Sequence, residues 1–145
     1  MKKPLLSLTG FLLCIFLFSC RAMQPATVSS DILTAMNKAA EDWNKADLDA
    51  FMALYDTAAT FMLPNGPVGF TGMKDNYEKG FFKDGKPKQN LRYEEMVVRP
   101  LGRDHALLTG KFILYGNGLK DRTGRYSLVF VRRKEGWRIL HDHSS

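Results

Sequence analysis

Cysteine is scarce in this chain of 145 residues, which has two, Cys14 and Cys20, both within the first twenty positions. That scarcity excludes a disulfide-built scaffold and a Cys-rich zinc or iron–sulfur site. Histidine is almost as rare, with three residues, His105, His141 and His143. The sequence has no Gly-rich phosphate loop, no serine nucleophile elbow and no zinc-protease helix motif. It has no internal repeat and no low-complexity tract. Its longest apolar run, Leu5 to Phe18, is shorter than the roughly 20 residues a spanning helix needs. What remains is an ordinary globular balance, 45% apolar and 25% charged, at a length that fits one domain.

The N-terminus reads as an address. Met1-Lys2-Lys3-Pro4 is basic, the run to Phe18 is apolar, and Leu17-Phe18-Ser19-Cys20 closes it. These are the parts of an export signal. Ending at Leu-x-Ser-Cys, the segment resembles a bacterial lipoprotein signal, and the resemblance implies acylation of Cys20 and anchoring to a membrane of the bacterial cell envelope, periplasmic or outer. The expected layout is a signal over 1–19, a tether over 20–29 and a domain over 30–145. Without residues 1–19 the chain has 126 residues, and the loss of Lys2 and Lys3 takes the formal charge from +6 to +4. With Cys20 acylated, no free thiol remains for redox or nucleophilic chemistry.

Helices come first in the domain and strands follow. Ile32, Met36, Ala39, Ala40 and Trp43 recur at helical spacing behind a Ser30 cap. Asp47 caps a second short helix through Leu48, Phe51 and Met52. Residues 58–63 read as a strand stopped by Pro64-Asn65-Gly66-Pro67, with a short return strand over 68–70 and a helix over 73–82. Four runs rich in β-branched and aromatic residues close the chain, at 90–99, 106–115, 126–133 and 137–141, separated by Gly-containing turns. This is an α+β pattern, with helices covering one face of an antiparallel sheet.

Trp43-Asn44-Lys45-Ala46-Asp47-Leu48-Asp49-Ala50-Phe51, then Tyr55-Asp56, Ala59-Thr60-Phe61, Gly66, Gly69, Gly72 and Tyr77, and finally Gly136 to Ser144 make up a recognisable series. It resembles the SnoaL-like, domain-of-unknown-function group of the nuclear-transport-factor-2-like (ketosteroid-isomerase-like) superfamily, over roughly residues 30–145. The resemblance implies a cone-shaped, cystatin-like fold: a strongly curved antiparallel sheet wraps two to three N-terminal helices around a cavity. It also implies dimerisation through the sheet. Ala46 departs from the family, which usually has Gly before the Asp. Ketosteroid isomerases place a carboxylate base just before a Pro at the end of the first long strand. The matching position here is Leu63, which cannot abstract a proton.

The last strand holds the candidates for acid–base work. Alternation along an ideal strand puts Trp137, Ile139, His141 and His143 on one face, and Arg138, Leu140, Asp142 and Ser144 on the other. His141 and His143 are therefore expected on the cavity side as catalytic candidates. A metal would need a third ligand, and His105 has no spacing that brings it in, so no metal and no other cofactor is expected. Asp142 is expected to face away and pair with Arg125 or Arg133. Trp43, Tyr55, Phe61, Tyr77 and Tyr126 form an aromatic set suited to line an apolar ligand pocket. Residues 97–145 hold ten Lys/Arg against four acids, which reads as a solvated outer sheet face rather than a nucleic-acid site. Three functions follow. The first is binding of a small, largely apolar molecule. The second is SnoaL-like isomerase, cyclase or hydratase chemistry through a C-terminal histidine. The third is a dimeric interaction module of the cell envelope, whose outward sheet face pairs with itself, as the expected homodimer, or with another envelope protein.

Overall fold

A computed structural model describes residues 25–145. The signal, Cys20 and residues 20–24 of the expected tether lie outside the described residues. Helix α1 spans Pro25–Asn44, so it begins five residues before Ser30 and takes in the second half of that tether. Proline is at home at the start of a helix, where its missing N–H would have no partner anyway. The helix buries Val28, Ile32, Met36, Ala39, Ala40 and Trp43 along one stripe.

The chain then turns at Ala46, whose φ of +64° is a left-handed conformation that disfavours any residue with a Cβ. The glycine usual in the family would sit there without strain. Asp47 caps α2 (Leu48–Met52) by accepting a hydrogen bond from the Ala50 amide. Strand β1 (Tyr55–Leu63) turns into β2 (Gly66–Gly69), and α3 follows at Phe70–Phe81. A small hairpin, β3 (Phe82–Lys83) with β4 (Lys86–Pro87), leads into the long strands β5 (Asn90–Pro100), β6 (His105–Tyr115), β7 (Arg122–Arg133) and β8 (Gly136–Ser144). No helix among the described residues is long and apolar enough to cross a membrane.

The main sheet has six strands in the order β2-β1-β8-β7-β6-β5. It is antiparallel except where β1 lies parallel to β8, a pairing possible only because most of the chain intervenes as a crossover. Two bulges bend it. In β5 the residues between Glu94 and Val97 stand opposite a single residue of β6, with Glu95 at φ +54°. In β8, Leu140 is the extra residue: Val129 faces His141 while its neighbour Phe130 faces Ile139. The helices pack on the concave side of this curved α+β, cystatin-like arrangement. The end of α1 is latched to the start of β5, where the Asn44 side chain donates to the Leu91 carbonyl (2.9 Å) and accepts from the Leu91 amide (2.7 Å). Trp43 Nε1 donates to the Gln89 carbonyl at 3.0 Å.

The basic residues expected on the outer face are largely engaged. Arg125 pairs with Glu95, and Arg133 donates to Asp56 at 2.6 Å. That bond, with one from the Ala58 amide, holds the Asp56 carboxyl below the ordinary aspartate range. Arg132 lies 4.4 Å from the Trp137 ring centroid.

Candidate functional site

The concave side of the sheet and the three helices enclose a cavity of about 90 Å³. All five residues of the expected aromatic set reach it. Trp43 comes from α1, Tyr55 and Phe61 from β1, Tyr77 from α3 and Tyr126 from β7. Trp43 is the hub of the wall, in edge contact with Phe51 (5.1 Å), Tyr77 (5.7 Å), Phe81 (6.0 Å) and Phe82 (4.9 Å). Tyr93 of β5 joins from the far side, packed edge-on against Tyr126 at 5.4 Å. It was readable from the sequence, since strand alternation puts it on the same face as the core residue Leu91.

The histidines do not line this cavity. The bulge at Leu140 reverses the alternation of β8 after Ile139. Trp137 and Ile139 face inward as expected, but the next inward residues are Asp142 and Ser144. His143 is exposed. His141 turns to the opposite side of β8, where its Nδ1 shares a 2.7 Å hydrogen bond with Thr60 Oγ1 of β1. The expected placement of the two histidines is thus reversed, and so is that of Asp142. Asp142 pairs with neither Arg125 nor Arg133. It is 2% exposed and lies on the cavity wall. Among the described residues, no three potential ligands converge for a metal.

Asp142 instead receives two hydroxyl hydrogen bonds, from Tyr55 at 2.8 Å and from Ser144 at 2.7 Å. Burial pushes its carboxyl above the ordinary aspartate range, while those two hydroxyls and the flanking histidines act against the rise. The Tyr55 and Tyr77 hydroxyl oxygens are 3.1 Å apart. Tyr55 has one proton, and it goes to Asp142, so Tyr77 must donate to Tyr55. The result is a chain Tyr77 to Tyr55 to Asp142, with the lone pairs of Tyr77 left over. Burial pushes the hydroxyls of Tyr55, Tyr77, Tyr93 and Tyr126 well above the usual tyrosine range, and the Asp142 charge adds to this. All four are neutral donors at physiological pH.

Tyr126 differs from Tyr55 and Tyr77, because its buried hydroxyl has no hydrogen-bond partner. Its ring lies across the backbone of Gly110, its cross-strand neighbour on β6. A Cβ at residue 110 would come within 2.5 Å of Tyr126 Cζ and closer still to its hydroxyl. Glycine at this point is what lets the ring lie across the strand, with its hydroxyl seated over the Gly110 backbone.

Beyond this chain, the sequence signature described as SnoaL-like domain matches residues 32–145. No curated protein sequence matches. Among solved structures, the chain is similar to an NTF-2-like protein of unknown function from Shewanella oneidensis, at 24% identity and a TM-score of 0.72, covering 81% of this chain and 98% of that one. It is also similar to a Nostoc punctiforme protein of unknown function with a cystatin-like fold, at 9% identity and TM-score 0.65, covering 80% and 88%. A third similar structure is the association domain of CaMKII from C. elegans, at 19% identity and TM-score 0.67, covering 83% and 96%. At these identities the likeness is one of fold.

Proposed function

Since this chain belongs to the SnoaL-like domain family, whose signature spans nearly all of its described residues, we propose that it binds a small, largely apolar ring bearing one hydroxyl in its cone cavity. The observation that carries this reading is the partnerless Tyr126 hydroxyl on an aromatic wall. A buried O–H without a partner costs about 1–3 kcal/mol, and a small turn of the Tyr126 ring that brings the hydroxyl onto a ligand oxygen removes the penalty. Tyr77, on the same wall, has lone pairs free to accept from a ligand hydroxyl. A phenol-type group satisfies both tyrosines, whereas a ketone satisfies Tyr126 alone.

Binding fits the site better than proton abstraction does. Asp142 is the one carboxylate on the cavity wall among the described residues, and both its oxygens already accept hydroxyls from the protein. His141 and His143, the acid–base candidates of the enzyme reading, point elsewhere.

Tyr126→Phe separates this reading from a purely structural role for the residue. The unliganded variant is expected to be as stable as the parent, or up to about 1 kcal/mol more stable, because an unsatisfied buried hydroxyl is gone. Its affinity for p-cresol is expected to fall about tenfold, which is 1.4 kcal/mol. Calorimetric titration and urea unfolding measure the two effects. Unchanged p-cresol affinity in the variant, or no p-cresol binding by the parent, would end the reading.

We further read the protein as exported and lipid-anchored in a bacterial envelope, on the strength of the basic start, the apolar run and Leu17-Phe18-Ser19-Cys20. Intact mass spectrometry of protein from the native membrane is expected to give a chain beginning at Cys20 with added acyl mass. A full-length chain without acyl mass refutes it. Likeness to an association domain supports a second copy of this chain as partner, and equilibrium sedimentation decides between dimer and monomer.

A further inference from the structure

The inner cavity is small for a ligand site. Its 90 Å³ compares with about 300–1,000 Å³ for ordinary small-molecule pockets. It shares three wall residues, Trp43, Phe81 and Leu114, with a second, more open hollow of about 310 Å³ between the end of α3 and the β6–β7 turn. Taken together, the two compartments fall within the usual range.

The outer hollow is apolar along Phe81, Leu114 and Leu119, with Lys88, Lys120 and Arg122 around it against a single acid, Asp121. None of these three cations meets a carboxylate among the described residues. Their neighbours on the sheet do: Arg92 and Lys111 pair with Glu94, and Arg125 with Glu95. Lys88 donates instead to the carbonyls of Lys79 and Gly80 at the end of α3. The Arg122 guanidinium lies 5.4 Å from the ring centroid of Phe81, a wall of both compartments. The hollow is held in shape from below. Gln89 is 5% exposed and donates through Nε2 to the carbonyls of Leu114 (3.3 Å) and Lys120 (3.2 Å), fixing the cationic turn to the cavity wall.

From this arrangement we infer that the two compartments form one bipartite site for a phenolic ring carrying a short carboxylate arm. The ring enters among Trp43, Tyr77 and Tyr126, and the carboxylate lies beside Lys120 and Arg122. Unneutralised cations next to an apolar wall favour an anion tethered to a hydrophobic body, and the planar guanidinium fork matches the two oxygens of a carboxylate. This inference rests on the cavity reading given above and adds the charge of the ligand to it.

The test titrates the chain by calorimetry with 3-(4-hydroxyphenyl)propionate, its uncharged primary amide, and 2-(4-hydroxyphenyl)ethyl phosphate. The parent is compared with the Lys120→Ala/Arg122→Ala double variant and with Tyr126→Phe. The acid is expected to bind the parent at least tenfold tighter than the amide, and to lose that advantage in the double variant and in 0.5 M salt, with the amide unaffected. Tyr126→Phe is expected to weaken acid and amide by the same factor. Equal binding of acid and amide by the parent, both sensitive to Tyr126→Phe, overturns the bipartite site and leaves the cavity reading standing. So does an acid preference that survives in the double variant. Acid binding that depends on Lys120 and Arg122 but not on Tyr126 keeps the anion subsite and removes the inner one. A phosphate ester bound more than tenfold tighter than the acid overturns the carboxylate as the ligand class. Failure of all three probes to bind overturns both readings.

Discussion

Trp43→Ala is expected to cost about 3–5 kcal/mol of unfolding free energy, the usual range for deleting a buried aromatic. A domain of this size holds about 5–15 kcal/mol in total, so the variant stands near the limit of folding. Trp43 is 2% exposed and in ring contact with four aromatics from α2, α3 and β3. Its indole also ties α1 to the Gln89 carbonyl, next to the side chain that braces the outer hollow. The loss is therefore felt in stability and in binding alike, since Trp43 lines both compartments. Trp43→Phe keeps much of the volume and gives up the hydrogen bond, and should cost only about 1–2 kcal/mol. Urea unfolding of the three proteins checks the ordering. A loss below 1 kcal/mol in the alanine variant contradicts the packing described here.

Gly110→Ala is expected to destabilise the fold by about 1–3 kcal/mol and to abolish p-cresol binding. One methyl group is a small change, and at most strand positions alanine in place of glycine is neutral or helpful. Here the added carbon lands within 2.5 Å of Tyr126 Cζ. The ring cannot slide aside, because Tyr93 packs against it edge-on. It must rotate out of the wall, and the hydroxyl proposed to meet the ligand goes with it. The clash belongs to the pair rather than to Gly110, which makes a double-mutant cycle decisive. In a Tyr126→Leu background the alanine should cost close to nothing. Additive losses in the cycle would show that Gly110 matters for another reason, such as the β5 bulge that lies opposite it.

Much of this arrangement was legible without coordinates. The apolar spacing of α1 carried Trp43 to the core face, and helical spacing in 73–81 did the same for Tyr77. Tyr55, Phe61 and Tyr126 were grouped with them as an aromatic set suited to a pocket, although the strand read over 58–63 left Tyr55 outside it and β1 takes it in. Pro64-Asn65-Gly66-Pro67 marked the β1–β2 turn. The left-handed corner at Ala46 was foreshadowed by the glycine that the resembled family usually has at that position. The start of α1 was read too late, because Ser30 is a good cap in isolation while Pro25 begins the same helix equally well.

The end of β8 was misread for a different reason. The rule that neighbours point to opposite faces holds along an unbroken ladder, and the sequence Ile139-Leu140-His141-Asp142 carries no glycine or proline to mark a break. The break shows only in the pairings: against β7, Leu140 is one residue too many, while against β1 the surplus lies on β1 itself, between Tyr55 and Thr60.

The sequence by itself determined the kinds of element and their order, because these follow from local propensity and from the periodicity of apolar residues, and its motif series carried the resemblance to the family and the aromatic character of the cavity. The tertiary structure alone decided which polar groups enter that cavity. One residue of slippage in β8 exchanges His141 and His143 for Asp142 and Ser144. The absence of a side chain at Gly110 then sets the direction of Tyr126. Both depend on strands distant in sequence, whose pairing is fixed only when the sheet closes over the helices.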